Sequence, residues 1–245
     1  LGQPTLRGMR ITVTVVLKML GGGKSVEEVL RAYPELEAED VRQAILDGKM
    51  PPGAKINLDR LRDAYGVSLS PLREAVARLT HTGLVELEDQ RGYRIADVSP
   101  DNLAEVTRLR AELESLAVGI ATNNAGLDWE AAVMAAQHRL ARTDPAQNPA
   151  AWDAAHTNLH TTLAAGAGMP ILSEFCLVLM GLAERYRRIC GASATPDDLA
   201  EHAEIAGAAA VRRDAGTASR LLRDHIERGG ERLLHQFRTM TGAMP

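Results

Sequence analysis

The stretch VSLSPLREAVARLTHTGLVELEDQRGYRIADV, residues 67–98, changes its period halfway along. SPLREAVARLTHTG reads as a helix with Ser70 as its N-cap and Pro71 at the first helical position, stopping at Gly83. LVELED and YRIADV then alternate apolar and polar residues on either side of QRG, the pattern of a two-stranded hairpin. Immediately upstream, NLDRLRDAYG offers Asn57 as a cap, apolar residues at Leu58, Leu61 and Ala64, and Gly66 as a stop. Helix, turn, helix and hairpin together make a winged helix-turn-helix, assigned here to residues 40–98.

The flanking regions are helical. Residues 1–39 read as a helical extension. VTVVLKMLGGG ends in a glycine cluster, and SVEEVLRAYPEL carries a capping box from Ser25 to Glu28. EAEDVRQAILDG follows and ends at Gly48. Residues 99–245 show no strand pattern. Helices are expected near 100–123, 128–143, 149–166, 170–190, 196–213 and 215–240, punctuated by Gly126, Pro145, Gly168, Pro170, Pro196 and Gly216. Their Leu and Ala faces predict an antiparallel six-helix bundle, so the fold class is mostly α.

Composition narrows the function classes. Of 245 residues, 45% are hydrophobic and 24% charged, as in an ordinary folded protein, and the net charge of −4 gives no global attraction to nucleic acid. The first hundred residues carry 14 basic and 14 acidic side chains, so the excess of negative charge lies in the bundle. Any nucleic-acid contact must come from a local patch. Cys176 and Cys190 fall in one predicted helix, which points to reduced thiols rather than a disulfide framework. The longest apolar run, FCLVLMGLA, is about half of a membrane span, and LGQPTLRG lacks the apolar core of a signal peptide. A cytoplasmic protein without a membrane partner is expected.

Within the winged helix, residues 54–82 carry five basic and three acidic side chains, a modest patch that a small helical domain with solvated charges could equally show. The helix start places the hydroxyls of Ser68 and Ser70 beside backbone amides suited to a phosphate. Arg73 lies one turn in, Arg60 and Arg62 on the preceding helix, and Arg91 at the hairpin tip. Over ILDGKMPPGAKINLDRLRDAYGVSLSPLREAVARLTHTGLVELEDQRGYRIADVSP the chain resembles the GntR family of bacterial transcription regulators, with PLREAVARL, GLVE and RGYRI the most specific parts. The resemblance implies a dimer on a short palindromic operator. Ser68, Ser70 and Arg73 would be recognition-helix contacts, and Arg91 with Gly92 the wing. Leu69 stands where that family usually has arginine, and leucine cannot make arginine's bidentate contact to guanine.

DAAHTNLHTTL, residues 153–163, sets His156 and His160 four apart on one helix face. By spacing alone they could be metal ligands, an acid–base pair, or two polar neighbours. LRAELESLA, LHTTLAAGAGMPIL and EHAEIAGAAAVRRDAGTASRLLRDHI resemble the FCD-type helical domain of the FadR-like branch of the same family. In that domain an Asp and a His four apart join one His from each of two later helices around a divalent metal. By position His160, His202 and His225 match the histidines, and His156 occupies the Asp position. Four imidazoles favour zinc or nickel over harder ions. Asp153 shares the face and could ligate or support a histidine. His81, His138 and His235 have no such partners.

The resemblance further implies a small organic acid as effector. Arg110 falls where that domain has an inward arginine, with a salt bridge to Glu114 four residues on as the alternative role. The reading is a ligand-responsive, metal-containing repressor, not an enzyme. A metal-dependent hydrolase is the rival, but no HExxH or similar motif supplies a base. A second rival comes from residues 1–46, which resemble a small VapB-type antitoxin-like domain through RGMRITV and SVEEVLRAYPEL. Its last helix coincides with the first of the winged helix, and residues 1–39 could bind a protein partner or add dimer surface.

Overall fold

Gly83 is where helix gives way to strand in the computed structural model, which describes Arg42, Ile45 and residues 50–65, 69–192 and 194–242. The winged helix comprises β1 (Lys55–Ile56), α1 (Leu58–Tyr65), α2 (Leu69–Thr80), β2 (Val85–Glu88) and β3 (Gly92–Ile95). The strands form an antiparallel sheet in the order β1-β3-β2, with Val85 opposite Ile95 and Lys55 opposite Arg94. The hairpin is as expected; β1 is an addition. Two residues are too few to show an alternating pattern, yet Ile56 is buried with Leu72, Val76, Leu79, Leu84 and Ile95 in the domain's core. α2 already includes Leu69 and Ser70, so Ser70 sits inside the first turn rather than capping it. At the wing the chain reverses through Gln90 and Gly92, whose φ of 91° is a left-handed conformation that only glycine adopts without strain.

Six helices follow: α3 (Pro100–Asn124), α4 (Leu127–Arg142), α5 (Pro149–Ala165), α6 (Pro170–Cys190), α7 (Pro196–Ala206) and α8 (Ala215–Thr241). Their starts are the ones the sequence advertises. Ser99 accepts from the Asn102 N–H, Asn148 accepts from that of Ala151, and Thr195 with Asp198 forms a capping box. The expected helix over 196–213 is not uniform, however. After Ala206 it widens into a π-helical turn, Gly207–Val211, carried by the buried methyls of Ala208, Ala209 and Ala210. The long pair α3 and α8 packs closely, because Gly119 faces Ser219 and Gly230 faces Thr107; a Cβ on Gly230 would collide with Thr107. No helix among the described residues is long and apolar enough to cross a membrane. The extension over residues 1–39 and Ser68 lie outside the described residues; Arg42 and Ile45, from the third expected helix, are helical.

The two parts meet along α6. Leu182 packs into the winged-helix core. The Arg185 guanidinium donates to the Ala96 carbonyl at 2.6 Å. Tyr186, fully buried, lies edge-on to Phe237, and its hydroxyl accepts from the Ser99 N–H at 3.0 Å and reaches Asn102 Oδ1 at 2.9 Å. Removing that hydroxyl leaves shielded polar groups unpaired without opening a cavity. Tyr186→Phe should therefore lower stability by about 1–3 kcal/mol in urea unfolding. An unchanged midpoint would mean that the hydroxyl does not hold the joint.

Candidate metal centre and nucleic-acid interface

Three helices deliver four imidazoles to one point. His156 and His160 lie one turn apart on α5, His202 comes from α7 and His225 from α8, and all four are buried. One nitrogen from each falls within 4.8 Å of every other. What orients the rings is the partner of each Nδ1. His160 Nδ1 is 2.6 Å from Glu114 Oε2, His202 Nδ1 is 2.5 Å from the Asp198 carbonyl, and His225 Nδ1 is 2.6 Å from Glu201 Oε2. A carbonyl or an ionised carboxylate only accepts, so each Nδ1 carries the proton and each Nε2 is a bare lone pair. His156 is held differently, stacked on Trp152 at a centroid distance of 4.9 Å.

This arrangement fits a metal ion. His160 Nε2 and His202 Nε2 stand 3.2 Å apart, and with both protons on Nδ1 they present lone pairs to each other. Zinc–nitrogen bonds of about 2.0–2.1 Å in tetrahedral geometry would separate two such atoms by roughly 3.3 Å. Burial, then the charges of neighbouring histidines, holds His156 and His202 well below the usual histidine range; burial also brings His225 down to about 4. His156, His202 and His225 are therefore neutral near pH 7, the form that ligates. Carboxylates in the outer layer orient the rings, as ligand histidines require.

Glu114 and Glu201 were not singled out by sequence reasoning as histidine partners. Glu201 precedes His202 in the chain but serves His225 across the bundle, and it also takes Arg228 at 2.8 Å. Burial drives the Glu114 carboxyl pKa upward, but the Arg110 charge and the hydrogen bonds from His160 and Arg110 outweigh it and hold it down to about 2. Arg110 makes the salt bridge weighed for it, its Nε donating to Glu114 Oε1 at 2.8 Å, and it also lines a cavity of about 390 Å³. His156, His202 and His225 line the same cavity, joined by Arg187 and Arg232.

Asp153 is placed elsewhere. One carboxylate oxygen takes Arg187 at 2.6 Å and the other Arg188 at 3.2 Å, so it joins neither the imidazoles nor their supports. Seven residues separate it from His160, about 10 Å of helix rise, which puts it on the right face two turns too far away. His81, His138 and His235 are exposed. Cys176 and Cys190 are free thiols, and burial raises Cys176 to about 12.

The winged helix sorts its arginines into two kinds. Arg62 is held by Asp59 and Asp63, Arg78 by Glu74, and Arg94 by Glu86, Glu88 and Asp97. Arg60, Arg73 and Arg91 are exposed and have no carboxylate partner among the described residues. Ser70 and Gly92 are also exposed, at the start of α2 and at the hairpin turn.

Comparison with known proteins agrees with this architecture. Residues 36–95 match the bacterial regulatory proteins of the gntR family, and residues 105–228 match the FCD domain. Residues 1–46 match a protein family of unknown function (DUF433), which overlaps the gntR match over the helix containing Arg42 and Ile45. The chain is 31% identical over 196 residues to the HTH-type transcriptional repressor GlaR of Escherichia coli, covering 76% of this chain and 89% of GlaR. It is 29% identical to the uncharacterized HTH-type transcriptional regulator BphR of Paraburkholderia xenovorans, covering 85% of this chain and 91% of BphR. In fold it resembles Escherichia coli McbR/YncC, with a TM-score of 0.67 at 20% identity, covering 82% of this chain and 96% of that one. A regulator from Rhodococcus sp. RHA1 gives a TM-score of 0.66 at 22% identity, covering 81% of this chain and 95% of its own. The chain belongs to the GntR family of bacterial regulatory proteins, with an FCD-type helical domain, and is a DNA-binding transcription regulator rather than an enzyme.

Proposed function

We propose that this regulator is a metal-containing repressor that binds a palindromic operator as a homodimer and responds to a small carboxylate. The observation that carries the reading is the cluster of four buried imidazoles, three with Nδ1 engaged, at the wall of a cavity. His156, His160, His202 and His225 would hold one divalent ion. Nitrogen-only ligation favours zinc or nickel. The ion would supply a Lewis-acid anchor for a carboxylate, and Arg110 on the cavity wall adds a positive charge. The domain division at 39 and 98 belongs to the same reading.

Two lines of exposed apolar residues support a dimer. On α3 Leu109 and Leu116 are exposed, and on the adjoining α6 Ile171 and Phe175 are 72% and 58% exposed. Large apolar residues lined up on two packed helices are unusual on a monomer's surface. On the DNA side, Lys55, Arg60, Arg73 and Arg91 are cations of the winged helix with no carboxylate partner among the described residues, and Ser70 and Gly92 are exposed as well.

Metal binding to the folded bundle alone stabilises it by about 2.7 kcal/mol at a hundredfold excess over the dissociation constant. Chelation should lower the melting temperature, and His160→Ala should lower it likewise and abolish the response to chelator. Identical melting with zinc and with chelator would remove the metal from the reading. The pH dependence has a definite sign. His156, His202 and His225 titrate below 6.5 in the folded state, so below that pH the unfolded chain binds more protons. Stability of metal-free protein should be full above about 6.5 and fall progressively toward pH 4. A flat profile over that window would show that the rings are not buried neutral. Arg73→Ala should weaken operator binding by about 1–3 kcal/mol if it reads a base; measured at fixed salt, unchanged affinity would remove Arg73 from the interface.

A further inference from the structure

Two adjacent glycines lie inside α8, Gly229 and Gly230, and both line the cavity. After proline, glycine is the poorest helix former, so a pair of them inside a 27-residue helix calls for a cause. For Gly230 the cause is packing, because a Cβ there would collide with the Thr107 side chain on α3. Gly229 is different. The nearest atom to a Cβ at that position is Arg232 Nη2, the flexible tip of a side chain on the same helix, at an ordinary contact distance of 3.9 Å. No neighbour requires glycine at 229; what its missing side chain leaves open is the cavity.

The cavity changes character along its length. The contacts of Thr107 with Gly230 and of Glu112 with Arg223 set α3 and α8 antiparallel, with Arg110 toward the His225 end and Leu103 beside Leu233. Arg110 and Leu103 are seven residues apart, and His225 and Leu233 eight, so both helices separate the two ends by about 10–12 Å of rise. The first end holds the imidazoles and Arg110. Arg187 belongs to it as well, since its guanidinium lies 5.2 Å from the Trp152 ring on which His156 stacks. The other end is apolar: Leu103 and Leu233 join Tyr186 and Phe237 in one buried cluster. Ala183, Ile226 and the glycine pair also line the cavity. Among the polar groups on the wall, Asp198 takes both Thr195 and Arg232, and the Gln236 amide donates to the Cys190 carbonyl at 2.7 Å. Size adds a further limit. At about 30 Å³ for each water-sized group, 390 Å³ has room for roughly thirteen such groups, several times what the smallest carboxylates fill.

We propose that the anion this cavity takes is amphipathic, a monocarboxylate with a hydrocarbon body of roughly six to nine carbons. Its carboxylate lies at the imidazole end and its body over Gly229 toward Leu103 and Leu233, so that Gly229 determines which bodies fit. The proposal rests on the reading of the cavity as a carboxylate site. It is tested by calorimetric titration of the full chain, with and without added zinc, using butyrate, hexanoate, octanoate and the eight-carbon diacid suberate. Each methylene moved from water to an apolar wall should tighten binding about fourfold, so octanoate should bind roughly a hundredfold or more tighter than butyrate. Suberate must bring a second charge to the apolar end and should bind at least about tenfold more weakly than octanoate. Gly229→Leu fills the space and should weaken octanoate by about tenfold or more while changing butyrate by less than about twofold. Gly229→Ala improves the helix and keeps the test open should the leucine variant not fold; it should weaken octanoate about fourfold and likewise spare butyrate. A merely structural role for Gly229 would leave the ratio of the two acids unmoved. Octanoate no tighter than butyrate, suberate as tight as octanoate, or Gly229 variants that lower both acids equally would overturn the proposal while leaving a carboxylate site in place. If none of the four acids binds in either condition, the carboxylate reading falls and this one with it.

Discussion

Four imidazoles brought out of water at one point set the terms for the rest of the bundle. A buried ring nitrogen without a partner costs about 1–3 kcal/mol. The structure meets that cost by bringing one acceptor to each of three Nδ1 atoms from another turn or another helix. Glu114 reaches His160 from α3, the Asp198 carbonyl reaches His202 from the preceding turn of α7, and Glu201 reaches His225 across from α7 to α8. The first of these bonds ties α3 to α5 and the last ties α7 to α8. Glu114 is itself a buried charge, tolerable because Arg110 takes one carboxylate oxygen and His160 the other.

α6 supplies the second constraint. Its N-terminal half presents Ile171 and Phe175 outward, whereas residues 182–188 face the winged helix on one side and the cavity on the other. Gly191, in the left-handed conformation at φ 61°, ends it, and Gly191 also lines the cavity. The element that touches the winged helix is thus the same one that lines the cavity.

Much of this was legible in the chain, for identifiable reasons. The expected helix starts near 100, 149 and 196 are where the structure begins helices, each with a proline at the first position behind a cap that acts on its own backbone neighbours, Ser99, Asn148 and Thr195. The hairpin showed itself by alternation, and Gly92 by a turn that needs a positive φ. His156 and His160 were visible as a pair because helical spacing is local, whereas His202 and His225 were tied to them only through resemblance to a known domain. What escaped notice depends on long-range packing. β1 exists because β3 offers it an edge. The π-helical turn at Gly207–Val211 is a packing outcome that its alanines do not announce. Glu114 reads as half of an i,i+4 pair with Arg110, and nothing in LRAELE says that its second oxygen meets a histidine 46 residues away. Asp153 illustrates the reverse error of scale. Its phase on α5 matches His160, but phase ignores axial distance, and the arginines of α6 are nearer.

If the four imidazoles hold a divalent ion, His156 in place of an acidic ligand would change the charge of the centre. A divalent ion held by four neutral imidazoles keeps both its charges, whereas one carboxylate ligand would cancel half. The remaining acidic groups nearby are committed: Glu114 to Arg110 and His160, Glu201 to His225 and Arg228, and Asp198 to Thr195 and Arg232. On α5 the negative charge sits instead at Asp153, one turn toward the N-terminus, where it is shared by Arg187 and Arg188. The cavity wall carries Arg187, which shares Asp153 with Arg188, and an ion held by the four imidazoles would lack an anionic ligand there. Both would gain from the same kind of guest, and a neutral one would satisfy neither. With an ion held there, the charge pattern of the wall would favour an anionic guest over a neutral one.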